Sequence, residues 1–91
     1  MAICRVIETG ASPEQYDEVS ERLGLGESAP PGAQLHIGAV GDDGKIRVVE
    51  VWDSRDEAEQ FTERVRAARE EVGVGGQPSI TYMDVHALRG A

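Results

Sequence analysis

Six side chains in this 91-residue sequence have the chemistry to act on a small molecule: Arg5, His36, Glu50, Trp52, Tyr82 and His86. Imidazole exchanges a proton near neutral pH, so a histidine is the natural general base. Glu50 can orient such a histidine or pair with the Arg5 guanidinium, as a buried carboxylate requires. Trp52 offers a large flat surface with one N–H donor, and Tyr82 a phenol within reach of a ligand oxygen. The catalytic candidates are therefore His36 and Glu50. Trp52, Tyr82, Arg5 and His86 are the candidates for holding substrate. Each type also has a purely structural use. His36 can be a hydrogen-bonded interior histidine, Trp52 a core anchor, Tyr82 a satisfied interior hydroxyl, and His86 a rim or interface residue.

Other chemistries lack their residues. The two histidines lie on separate segments with no HxH, HxxxH or CxxC spacing, so no metal site is expected. The glycine stretches at "GLGESA" and "GVGG" do not link a strand to a helix as a phosphate cradle does, and there is no Gly-x-Ser-x-Gly elbow. Cys4 is the only cysteine, which excludes an internal disulfide and suits a small strand residue in a reducing compartment. The formal net charge of −8 disfavours nucleic acid and anionic membrane surfaces as partners. The opening "MAICRVIETG" does not read as a signal peptide, lacking a basic start followed by a long apolar stretch, and no apolar run is long enough to span a bilayer. A cytoplasmic protein with no cofactor is expected.

The elements that must position these residues are legible from pattern. "AICRVIE" is a β-branched strand ended by Thr9 and Gly10. "SPEQYDEVSERLG" reads as a helix, with Ser12 and Gln15 as a capping box, Pro13 at the first position and Gly24 at the close. Its apolar stripe is Tyr16, Val19 and Leu23. "AQLHIGAVG" and "GKIRVVEVWD" are strands joined by the tight turn "GDDG". "SRDEAEQFTERVRAAREEVG" is a longer helix with Ser54 and Glu57 as capping box and a stripe of Ala58, Phe61, Val65, Ala68 and Val72. "SITYMDVHAL" supplies the last strand. The whole of residues 1–91 is one βαββαβ domain, an α+β ferredoxin-like unit. It predicts a four-stranded antiparallel sheet with both helices on one face.

Strand alternation then sorts the sheet into two sets. Cys4, Val6, Leu35, Ile37, Ala39, Val49, Val51, Thr81, Met83 and Val85 are almost uniformly apolar, and this set is expected beneath the helices. Ile3, Arg5, Ile7, His36, Gly38, Val40, Ile46, Val48, Glu50, Trp52, Ile80, Tyr82, Asp84 and His86 form the mixed set, expected on the open face. A patch of that kind marks an interaction surface. Its simplest cover is a second copy, giving a homodimer with polar groups inside.

The element order, the length and the segment "EVWDSRDEAEQF" resemble the dimeric α+β barrel superfamily, in particular the antibiotic biosynthesis monooxygenase-like proteins. There an E-x-W or E-x-Y strand end leads into a capped helix with a D/E-E-A step, matched here by Glu50, Trp52 and Asp56-Glu57-Ala58. Small actinobacterial members carry a P-G-x-x-x-H step, matched by Pro31, Gly32 and His36. The sequence departs from many oxygenating members, which carry a cavity asparagine and a histidine early in the second helix. This chain has no asparagine and has Phe61 at the second place.

The resemblance implies a homodimer with a small-molecule cavity between sheet and helices. It also implies activities ranging from oxygenation of phenolic polycycles without metal or flavin to haem degradation, cyclisation and isomerisation. The expected function is a cofactor-independent monooxygenase for a phenolic or polyketide-like molecule, with its cavity on the open sheet face. His36 is then the base, Glu50 its support, Trp52 the ring's wall and Tyr82 a hydrogen-bond partner. The alternatives are a non-catalytic binding or accessory dimer, and an isomerase or cyclase using the same base without dioxygen.

Overall fold

The computed structural model describes residues 2–90. Its elements run β1 (Ile3–Glu8), α1 (Pro13–Arg22), β2 (Ala33–Val40), β3 (Ile46–Trp52), α2 (Arg55–Val72) and β4 (Ser79–Asp84). The strands pair in the order β2-β3-β1-β4, every neighbour antiparallel, as the split βαβ arrangement requires. No helix among the described residues is long and apolar enough to cross a membrane.

Local chemistry sets the helix ends. Ser12 accepts from the Gln15 backbone N–H while the Gln15 side chain accepts from the Ser12 N–H, so the box at α1 is complete. At α2 only half of the expected box forms. Ser54 accepts from the Glu57 N–H, but the Glu57 carboxylate takes the Ser54 hydroxyl instead of its backbone N–H. Gly73 ends α2 in the left-handed conformation at φ 86°, which lets its N–H reach back to the Arg69 and Glu70 carbonyls. The last strand is shorter than expected. It stops at Asp84, and His86 lies beyond it on exposed chain.

The two faces of the sheet are the reverse of the expectation. The helices cover the mixed set: Arg5, Ile46, Val48, Glu50 and Trp52 are all buried. Tyr16 of α1 bonds His36, Thr62 of α2 bonds Arg5, and Phe61 of α2 packs on Trp52. The uniformly apolar set is left without a helix, and Ile37 and Met83 on it are 45% and 46% exposed. The reason is physical. A polar group can be buried when a partner meets it, and the helices bring those partners, so apolar uniformity was the wrong criterion for the covered side.

One irregularity keeps β2 in phase. The register steps from Ala33 opposite Trp52 to Leu35 opposite Val51, leaving Gln34 as a bulged residue. Ala33 and His36 therefore both face the helices, which strict alternation forbids. Ala33 joins the core of Trp52, Ala58 and Phe61, together with Ile3, Leu23, Leu25, Val65 and Tyr82.

Candidate functional site

Antiparallel pairing places four of the predicted residues in one row across the sheet. His36 of β2 lies opposite Glu50 of β3, Glu50 opposite Arg5 of β1, and Arg5 opposite Tyr82 of β4. Cross-strand neighbours sit about 4.5–5.5 Å apart at Cβ, so long polar side chains in such a row must meet.

They meet through Glu50, which is 1% exposed. Its Oε1 accepts from Arg5 Nε at 2.6 Å and from Trp52 Nε1 at 2.9 Å, and its Oε2 accepts from His36 Nδ1 at 2.8 Å. Burial alone would raise the Glu50 pKa. The hydrogen bonds from His36 and Trp52, with the charge and N–H of Arg5, outweigh it and hold the carboxyl below its ordinary value. Glu50 is therefore an anion at neutral pH. An acceptor-only carboxylate on Nδ1 assigns the imidazole proton to that nitrogen and leaves Nε2 free to accept.

What Nε2 meets is Tyr16, on the inner face of α1, with its hydroxyl at 2.6 Å. Burial, ahead of a lowering hydrogen bond from Ser20, raises the Tyr16 pKa, so the phenol stays protonated and donates to His36. The pair also stacks, with ring centroids 6.1 Å apart. Gly38 makes this approach possible, since a Cβ there would lie 3.0 Å from the Tyr16 Cζ and hydroxyl. At the other end, Arg5 Nη1 donates to Thr62 Oγ1 at 2.6 Å and to the Tyr82 hydroxyl at 3.3 Å. The result is a continuous chain, Tyr16–His36–Glu50–Arg5–Thr62, between sheet and helices.

This chain borders a hollow in three parts. An inner space of about 80 Å³ is lined by Arg5, Tyr16, His36, Glu50, Phe61 and Arg69, among others. An opening of about 400 Å³ under the α1–β2 loop shares Tyr16 and His36 with it as walls, and one of about 290 Å³ beside the α2–β4 loop shares Arg69 and Ile80. A cavity of roughly 150 Å³ holds benzene, so the inner space alone is too small for a ring system, whereas either opening is large enough to take one.

The predicted residues fall into two groups. Arg5, His36 and Glu50 converge on the hollow. The cavity is therefore under the helices and not on the open sheet face. Trp52, expected as a wall, is 1% exposed in the core against Phe61 and lines none of the three spaces. Its part in the site is the N–H it gives to Glu50. Tyr82 touches the row through Arg5 and is capped by the Arg55 guanidinium 4.0 Å above its ring. His86 is exposed and outside the row.

Two residues of the site escaped sequence reading. Tyr16 was counted only as part of an apolar stripe, although a buried phenol needs a partner for its hydroxyl, and that was the available signal. Arg69 is absent from the predicted stripe of the second helix, yet it lies four residues after Val65 and eight after Phe61, on the same inward side.

No protein-family model matches the sequence, and no curated protein matches it. Solved structures do match. A protein from Chloroflexus aurantiacus assigned as an antibiotic biosynthesis monooxygenase superposes with a TM-score of 0.69 at 20% identity, over 99% of this chain and 98% of that one. One from Caulobacter crescentus, assigned likewise, gives 0.66 at 23% identity over 94% and 91%. The fold is that of the antibiotic biosynthesis monooxygenase-like proteins. The ActVA-Orf6 monooxygenase of Streptomyces coelicolor, solved with nanaomycin D, shares it at a TM-score of 0.60 and 18% identity, over 99% and 91%.

Proposed function

We propose that this chain is a cofactor-independent monooxygenase of a phenolic, polyketide-like molecule, held between sheet and helices with Tyr16 and His36 at its hydroxyl. The observation that carries the reading is the oriented relay: Glu50 fixes His36, and His36 Nε2 faces a neutral Tyr16 at the junction of inner space and opening. A substrate phenol bonded to Tyr16 passes its proton to Tyr16 as the Tyr16 proton moves to His36. The phenolate then gives one electron to O₂ from its para carbon, and the radical pair joins as a carbon-bound peroxide. His36 returns its proton through Tyr16 to the peroxide, and loss of water, with the para C–H and the O–O bond both breaking, leaves a carbonyl, so one oxygen atom enters the product and one leaves as water. The monooxygenase fold of the structural neighbours is consistent with this chemistry but does not choose it.

The open apolar face belongs to the same proposal. With Ile37 and Met83 exposed on a sheet without helices, a second copy of the chain is the expected cover, so the dimer forms through the apolar set and not the mixed one. In this reading the dimer works in the cytoplasm. One observation favours binding without turnover. Among the described residues every buried polar side-chain atom already has a partner, so the network is complete without a substrate.

Oxygen consumption with a panel of polycyclic phenols separates these readings. Turnover is expected in the native chain, and His36→Gln should lower it by roughly 10²–10⁴-fold while the far-UV spectrum is kept. Binding with no oxygen uptake would leave the accessory or isomerase readings, and normal turnover in His36→Gln would remove His36 as base.

A further inference from the structure

We infer that the molecule bound in this hollow carries a carboxylate, and that Arg69 is the residue that receives it. The inference rests on the aromatic ligand proposed above and names its second recognition group.

Two arginines are buried beneath the helices, and they are treated differently. Arg5 has the Glu50 carboxylate at 2.6 Å. Arg69, 8% exposed, has no carboxylate within ion-pair distance among the described residues. Among the described residues its one protein hydrogen bond goes from Nη2 to the Thr9 carbonyl at 3.1 Å. A guanidinium has five N–H donors in a planar fork, and since no fully buried nitrogen lacks a partner, Nε and Nη1 stay open to solvent and to a ligand in the space beside them. That space is the hollow, because Arg69 lines both the inner part and the opening beside the α2–β4 loop. Burial lowers the Arg69 pKa, as it does for any cation partly withdrawn from water.

The two openings differ in charge in the matching sense. Asp17, Glu21 and Glu27 line the one beside Tyr16, with no lysine or arginine. Arg66, Arg69 and Glu70 line the other. A carboxylate is repelled at the first and met by a fork at the second, where two parallel N–H···O bonds fix its plane. A hydroxylated aromatic acid therefore lies with its carboxylate toward α2 and the rest of the molecule toward Tyr16.

Fluorescence titration at pH 7 with 3-hydroxy-2-naphthoate and with 2-naphthol tests this, because the two share a ring system and only one has the anion. The native chain should bind the naphthoate roughly 10–100-fold more tightly, the worth of a charge-assisted bond. Arg69→Gln should erase that preference, weakening the naphthoate far more than 2-naphthol, and Arg69→Lys should keep part of it. Equal affinity in the native chain, or a preference surviving in a folded Arg69→Gln, overturns the inference while the aromatic site stands. Should Arg69→Gln fail to fold, the native ratio and Arg69→Lys decide. Failure of both probes to bind the native chain removes the aromatic ligand itself, and this inference with it.

Discussion

Glu50→Gln is the substitution through which the polar row can be weighed. The amide keeps the shape and one acceptor, so Arg5 and Trp52 can still donate to its oxygen. Its NH₂ then faces the Nδ1–H of His36, two donors meeting at what was a 2.8 Å bond. The imidazole escapes by shifting its proton to Nε2, which ends its ability to accept from Tyr16. Meanwhile the Arg5 guanidinium, 1% exposed, loses its counter-charge. Breaking a buried pair costs about 3–5 kcal/mol, and the retained oxygen puts this case near about 3 kcal/mol. For a domain of this size that is a fall in Tm of roughly 12–24 °C. The pH dependence has a definite sign. Because the folded Glu50 pKa is depressed, its stabilisation is complete above the unfolded carboxylate value, roughly 4.3, and is lost as pH falls through the lower folded value. Thermal unfolding of both proteins between pH 3 and 7 should show the gap closing toward the acid end. A Glu50→Gln chain within about 2 °C of the native one at pH 7 would refute the paired, ionised row.

Three further substitutions follow from the geometry. Gly38→Ala sets a methyl 3.0 Å from the Tyr16 ring and should cost about 1–3 kcal/mol, with turnover lowered through loss of the Tyr16–His36 bond; denaturant melts and a steady-state assay check both. Ile37→Asp should convert a dimer to a folded monomer in sedimentation, whereas Val48→Asp, at a site 5% exposed under the helices, should prevent folding, and the opposite assignment would restore the mixed face as the contact.

Periodicity and punctuation were enough for the element order, because caps such as Ser12 and Gln15 act within one turn and strands alternate over a few residues. They also placed Arg5, His36, Glu50 and Tyr82 on one face. Which face the helices cover is a long-range fact, decided by whether polar side chains find partners on α1 and α2, and no window of sequence contains it. The same distance hid Tyr16, twenty residues from His36, and Arg69, whose contact with Thr9 spans sixty. Trp52 was legible as a large aromatic near Glu50, but its burial depends on Phe61 and Ala58 arriving from the next helix.

The sheet is a single layer, and each site residue is flanked in sequence by residues of the opposite face: Cys4 and Val6 around Arg5, Leu35 and Ile37 around His36, Val49 and Val51 around Glu50. The same backbone ladder thus holds the polar row on one side and the apolar surface on the other. Were a second copy to seat on that surface, as proposed, self-association and the aim of the imidazole would be linked equilibria, in which whatever tightens one steadies the other. The amount of protein in solution would then act as an effector of the site, through a wall one residue thick.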